Sequence, residues 1–173
     1  GLMHLLDTDV VFELRNAKAG ATDPGLSAWA TRAARSSLFV SALTLLELEA
    51  AVARAERKDK GPKGKNGGAA LRDWLDNRVA PAFEGRILAI DAAVVRRRGH
   101  LPLADSRDAL LAATALEHGL TLATRDIAAF SKVPCLKVFN PWGYKPEALD
   151  DEEDWGQAAK AGTQWLRNIF VPG

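Results

Sequence analysis

"SRDALLAATALEHGLTLATRD", residues 106–126, decides how this chain folds. Its first part, to about residue 118, carries apolar and small residues at helical spacing and ends on Glu117-His118-Gly119, a helix stop. Its second part, 121–125, is a short apolar run suited to a buried strand. A helix leading directly into a strand is the return half of a βαβ unit. A helix of ~11 residues rises ~16 Å and a strand of six residues spans ~20 Å. The chain therefore goes out and comes back, and the two acids that bracket the stretch, Asp108 and Asp126, are expected on the same side of the fold.

The pattern repeats outward from there. "MHLLD" at the start reads as a short buried strand ending at Asp7, followed by the helix "TDVVFELRNA" with Thr8 or Asp9 as N-cap. "ATDPGLSAWATRAAR" gives a turn and a helix with Leu26, Trp29 and Ala33 at helical spacing. "SLFVSA", 37–42, is a second strand. The helix after it has Thr44 as its expected cap and a stripe of Leu45, Leu48, Val52 and Ala55. "KDKGPKGKNGG", 58–68, reads as a flexible Lys/Gly-rich segment. Next comes a helix that Pro81 kinks or ends, then a strand in "GRILAI", 85–90, and a helix capped by Asp91. "IAAF" is a helical turn and "CLKVF" the last strand. Strands alternating with helices predict an α/β fold with a central, mostly parallel sheet.

Bulk properties fit one compact domain with a tail. The chain has 173 residues, enough for a sizeable core without staples. Its single cysteine, Cys135, rules out an internal disulfide and implies a reducing, cytoplasmic setting. No apolar run approaches the ~18 residues of a membrane span, and the start is too short before its first acid for a signal peptide. Net charge is +1 but unevenly placed. Residues 144–173 hold three basic and six acidic residues, so the remainder carries +4, a mild bias toward anionic partners.

In a parallel sheet, strand C-termini and helix N-termini share one edge, where open α/β sheets bind ligands. Asp7, Asp108 and Asp126 fall there, together with Glu47 or Glu49, which periodicity alone does not separate. Asp9, Asp91 and Asp105 need no role beyond the first turn of a helix. Four carboxylates on one edge repel, and a hard divalent cation such as Mg2+ or Mn2+ relieves that repulsion. No His- or Cys-rich cluster points to zinc.

Taken in order, "LLDTDVVFELR", "FVSALTLLELEAAV", "FEGRILAID", "RDALLAATALEHGLTLATRD" and "VFNPW" resemble the PIN-domain family, most closely its VapC/FitB-type toxins. The resemblance runs from about Met3 to Trp142. It implies a PIN-like nuclease domain over 3–142, with the Lys/Gly-rich insert and an extension over 143–173 as departures. It implies an Mg2+- or Mn2+-dependent endoribonuclease acting by metal-assisted phosphodiester hydrolysis. Asp7, Glu47, Asp108 and Asp126 become its metal ligands, Thr124 the associated hydroxyl, and the resemblance alone selects Glu47 over Glu49. RNA becomes the substrate, a cognate antitoxin a partner, and a homodimer the expected assembly.

Arg54, Arg57, Lys58, Lys60, Lys63 and Lys65 are candidate phosphate contacts, or a solvated loop. The extension has an acidic block, "DDEED", and then Trp155, Ala159, Gly162, Leu166 and Ile169 on one helical face. It is expected to pack on the body, on a dimer mate, or over a partner groove. Two other functions fit parts of the pattern. One is a haloacid-dehalogenase-type phosphatase, which needs a well-placed lysine. The other is a PIN-like module that binds RNA or a partner without cleaving.

Overall fold

The computed structural model describes residues 2–17 and 20–146. The elements are β1 (His4–Leu6), α1 (Thr8–Arg15), α2 (Pro24–Arg32), β2 (Leu38–Ser41), α3 (Ala42–Asp59), α4 (Gly67–Trp74), α5 (Ala80–Ala82), β3 (Ile87–Leu88), α6 (Ala92–Arg98), α7 (Ser106–His118), β4 (Thr121–Ala123) and β5 (Val138–Phe139). The five strands form one sheet in the order β3-β2-β1-β4-β5, and every pairing is parallel. The expected α/β architecture is present. The aromatic face and acidic block of the extension lie outside the described residues.

Strand alternation supplies both faces of the sheet. Leu6, Val40 and Ala123 belong to one buried core, with Val10, Leu14, Leu26, Trp29, Leu48 and Val52 from α1, α2 and α3. Leu5 and Leu122 face the opposite core, with Leu111, Ala112 and Ala115 of α7. A sheet covered on both sides explains why its strands read as continuous apolar runs. No helix among the described residues is long and apolar enough to cross a membrane.

The stretch 106–126 forms the predicted helix and returning strand. Asp105 caps α7, its carboxylate accepting from Asp108 N at 2.8 Å. Gly119 ends it in the left-handed region, at φ 65°, with Leu120 N donating to Ala115 O at 2.8 Å. That is a Schellman-type stop, and glycine takes this φ without the Cβ penalty. The strand that follows pairs with β1 in the register Leu5↔Leu122 and Leu6↔Ala123. One step further along this register stand Asp7 and Thr124.

Two local expectations, both caps, are corrected. Asp7, not Thr8 or Asp9, caps α1, accepting from Thr8 N at 2.7 Å. Ser41 caps α3 by accepting from Leu43 N at 3.0 Å, so the helix starts two residues before Thr44, which is buried inside it. The segment after α3 folds back on that helix. Asp59 accepts from Gly68 N at 2.8 Å, closing the loop onto the start of α4. A Cβ at Gly68 would lie 2.4 Å from Glu56 N, so α3 and α4 approach through a position only glycine fills. Pro81 acts beyond a π-helical turn at Leu75–Val79. Pro81 stands in the short turn after it, at a first-turn position that needs no N–H donor, and the helix ends at Phe83.

Candidate active site

The acidic edge is built from its most buried member outward. Asp7 follows β1 directly and is only 4% exposed. A buried carboxylate is costly unless its oxygens are bonded, and here each oxygen has partners. Oδ1 accepts from Thr8 N, and Oδ2 accepts from Thr124 Oγ1 at 2.8 Å. The Asp7 amide in turn donates to Ala123 O at 2.9 Å. The β1–β4 register therefore places Thr124 against Asp7.

Glu47 arrives from the second turn of α3. Thr8 Oγ1 donates to Glu47 Oε1 at 2.7 Å and lies 3.2 Å from Thr44 Oγ1. This small hydroxyl relay ties the start of α1 to the start of α3. Glu49 points elsewhere, held by Arg72, whose Nη1 donates to its carboxylate at 2.9 Å. Geometry therefore makes the choice between Glu47 and Glu49 that periodicity left open. Arg72 also bonds Glu56 at 3.0 Å, so Glu49 belongs to the α3–α4 contact.

Asp108 comes from the first turn of α7, and beside it is a group to which the sequence reading gave no role. The Arg107 guanidinium lies in the middle of the acids. Nε donates to both Glu47 oxygens at 3.2 Å, and Nη1 donates to Asp108 Oδ1 at 3.1 Å. Nη2 donates to Asp7 Oδ1, and to Glu47 Oε1 at 3.0 Å. Burial opposes the guanidinium's charge, but its bonds to Asp7 and Glu47, with the Asp7 charge and the Asp108 bond, outweigh that and raise its pKa above the ordinary value. A signal for it was present. A cation in the first turn of a helix opposes the helix dipole, so Arg107 in α7 needs carboxylates from elsewhere in the fold.

Asp9 does more than open its helix. Its carboxylate bonds its own helix start at Val10 N, 2.7 Å, and reaches across to Arg125 N at 3.0 Å. Burial first, and then the neighbouring Asp7 charge, push its pKa up; the two backbone N–H bonds and Arg107 pull against that rise. Asp9 therefore belongs to this edge as well as to its helix.

Asp126 stands two residues beyond Thr124 on the same edge. Its amide donates to Thr124 Oγ1 at 3.2 Å, while its exposed side chain accepts from Ala129 N at 3.2 Å. It is joined to the centre through Thr124, and its carboxylate turns away to the amide of Ala129 in the helical turn Ala128–Phe130. Arg125 between them lays its guanidinium 5.3 Å from the Trp142 ring centre. The basic segment from Arg54 to Lys65 is exposed at the C-terminal end of α3. Eleven residues of helix separate Glu47 from Lys58, about 16 Å along the axis.

The site thus converges three carboxylates and the Thr8 hydroxyl, which accepts from Arg107 Nη2 at 3.3 Å, on one positive charge. All are hard oxygen donors, the set that Mg2+ and Mn2+ take. As the side chains stand, however, no group of three or more His, Cys, Asp or Glu among the described residues is arranged to hold a metal directly. The cation they share is the guanidinium.

The PIN domain family model matches residues 5–134. The plasmid stability protein StbB of Pseudomonas syringae pv. tomato is 34% identical over 149 residues, covering 81% of this chain and 99% of that protein. A VapC ribonuclease of Sinorhizobium fredii and the toxin FitB of Neisseria gonorrhoeae are each 32% identical over 148 residues, 81% of this chain and 98% and 99% of theirs. The crystal structure of FitAcB from N. gonorrhoeae matches with a TM-score of 0.69 and 31% identity, over 82% of this chain and 99% of that one. The acids that close one sheet edge, the fold that brings them there and these relatives agree: the chain belongs to the PIN domain family, beside its VapC and FitB members.

Proposed function

We propose that this protein is an Mg2+- or Mn2+-dependent endoribonuclease and the toxin of a toxin–antitoxin pair. The observation that carries the reading is the convergence of Asp7, Glu47 and Asp108 from three separate elements on one point of the sheet edge. Carboxylates brought together against their repulsion at one sheet edge are the pattern of a functional site. The names of relatives agree with it: a VapC ribonuclease and a toxin, FitB, of similar length.

In this reading Asp7, Glu47 and Asp108 hold the ion, with Asp126 as a further ligand or tuning group and Thr124 orienting Asp7. A bound divalent ion supplies a water of lowered pKa and positive charge for the phosphoryl oxygens. Asp7 is fixed by the Thr8 amide and the Thr124 hydroxyl, so its lone pairs stay aimed at the edge without reorganisation. Thr8 holds Glu47 through its hydroxyl, which also lies against the Thr44 hydroxyl. The exposed Arg125 and the basic run Arg54–Lys65 are placed to attract the RNA backbone over a wider surface.

The FitAcB structure and the DNA-bound FitAB structure, at 31% and 29% identity, support a cognate antitoxin as partner, and the same reading puts the pair in the cytoplasm. A homodimer and a separate role for the 143–173 extension, packed on the body or on a partner, belong to the same proposal.

One observation favours a second reading, a PIN-like module that binds RNA or a partner without cutting. Arg107 already neutralises part of the cluster. The phosphatase reading gains nothing, because the cation brought to the acids is an arginine and not a lysine. Purified full-length protein offered structured RNA and p-nitrophenyl phosphate, with Mg2+, Mn2+ or EDTA, separates the three. RNA cleavage that EDTA abolishes supports the nuclease. RNA binding without cleavage in either metal supports the silent module, and ester hydrolysis alone supports the phosphatase.

A further inference from the structure

Arg107 poses a problem of occupancy. Its guanidinium uses Asp7 Oδ1, both Glu47 oxygens and Asp108 Oδ1 at once. Those are the oxygens a divalent ion would need. Two cations cannot share them, because a guanidinium in van der Waals contact with three carboxylates fills the space between them. The charge balance is also incomplete. One guanidinium faces three carboxylates, with Asp9 close behind Asp7, so the cluster keeps a surplus of negative charge that a divalent ion satisfies better. Loss of the arginine's proton offers no alternative route, since guanidinium stays charged in proteins.

The route out is visible. The Arg107 side chain is about one third exposed, whereas Asp7 beneath it is 6% exposed on the same side-chain measure. Arg107 sits at the mouth of the cluster, on the first turn of α7, and a long side chain can turn to water without moving the helix. Asp105 keeps that turn capped whatever the arginine does.

We infer that Arg107 is the resident counter-ion of the acidic cluster, and that a divalent metal binds by exchanging with it rather than by entering an open site. The arginine then has two effects on the same oxygens. In the metal-free protein it holds Asp7, Glu47 and Asp108 together against their repulsion. Toward the metal it is a competitor built into the chain, one that lowers affinity and makes the ion's arrival a discrete side-chain displacement. This inference rests on the metal-dependent reading above, and it adds a positioning residue that also sets the metal threshold.

The test uses the full-length protein and measures metal binding, not turnover. Mn2+ affinity is read by titration calorimetry and by the free-Mn2+ electron spin resonance signal for wild type, Arg107→Gln, Arg107→Lys and the remote control Arg97→Gln. The expected result is at least tenfold tighter Mn2+ binding in Arg107→Gln and an intermediate gain in Arg107→Lys. Arg97→Gln, which removes an exposed pair with Glu117, leaves affinity at the wild-type value. Metal-free Arg107→Gln melts below wild type, and saturating Mn2+ raises its melting temperature by more than it raises wild type's.

A measurement on the wild-type chain is independent of whether the variants fold. The Arg107 Nε–H resonance, protected from solvent exchange by Glu47, loses that protection as Mg2+ saturates the site. Equal or weaker Mn2+ binding in Arg107→Gln, or an Nε–H that stays protected in the Mg2+-saturated protein, overturns the exchange while leaving the metal reading intact. No binding by wild type or Arg107→Gln overturns the metal reading and the exchange with it.

Discussion

At the scale of single residues, burial separates the acids into different kinds of group. Asp7 is enclosed and bonded on both oxygens, so replacing it removes a charge that the surrounding donors are built around. Asp7→Asn is expected to lower metal-dependent RNA cleavage by about 10²-fold or more, the scale on which losing one electrostatic contact to a reacting group is felt. Single-turnover cleavage at saturating metal checks this. Asp126→Asn should cost far less, because its carboxylate serves the Ala128–Phe130 turn; equal losses in the two variants would contradict that ranking.

His4 is the informative residue at the opposite end of β1. Its ring lies 5.1 Å from Trp29 and 5.8 Å from Phe139, and its buried Nδ1 has no hydrogen-bond partner. Burial lowers its pKa below the ordinary 6.5. A base with a depressed folded pKa favours the neutral form in the fold. Its contribution to stability is present above pH 6.5 and is lost as pH falls through the folded value. Melting temperature is expected to fall between pH 7 and pH 5.5 more steeply in wild type than in His4→Phe; parallel curves would show that His4 is not responsible.

At the scale of elements, the strand–helix alternation was legible because each strand faces two cores and each helix one. Leu5 and Leu6 go to opposite sides, as the period of two requires. The helix 106–118 was legible to the residue because Gly119 leaves no alternative stop. The caps fall one to three residues before the expected positions, at Asp7 and Ser41, because the residue that closes or directly follows a strand also caps the next helix when no linker intervenes. The π-helical turn at Leu75–Val79 was not legible, since its spacing is set by packing and not by local propensity. Two substitutions probe these elements. Ser41→Ala should cost about 1 kcal/mol by loss of the α3 cap, read by denaturant unfolding. Gly68→Ala should cost about 1–3 kcal/mol, because its Cβ meets the α3 backbone at Glu56. A Gly68→Ala protein as stable as wild type would mean that α3 and α4 can separate freely.

At the scale of the whole molecule, parallel topology is what makes a site from residues 100 positions apart. β1 ends beside Asp7, β4 ends beside Thr124, and α3 and α7 start on the same edge. That convergence is legible in the order of strands and helices, which puts Asp108 and Asp126 on one side of the fold. What sequence could not show is the ion pairing inside the edge. Its one local trace is a cation in the first turn of α7, against the helix dipole, and its partners appear only once Asp7 and Glu47 arrive from distant parts of the chain. Asp9 was missed for the same reason, its partner being the amide of Arg125 in another element.

The most direct test of the account takes one acid from the mouth of the cluster, where folding depends on it least. Cleavage of structured RNA in Mg2+ and in Mn2+ is compared for wild type and Asp108→Asn at matched, verified folding. Wild-type cleavage that EDTA abolishes, reduced at least tenfold in Asp108→Asn with an unchanged melting temperature, is the predicted result. Wild-type rates retained in folded Asp108→Asn, or cleavage indifferent to EDTA, would contradict the claim that this acidic edge is the hydrolytic centre.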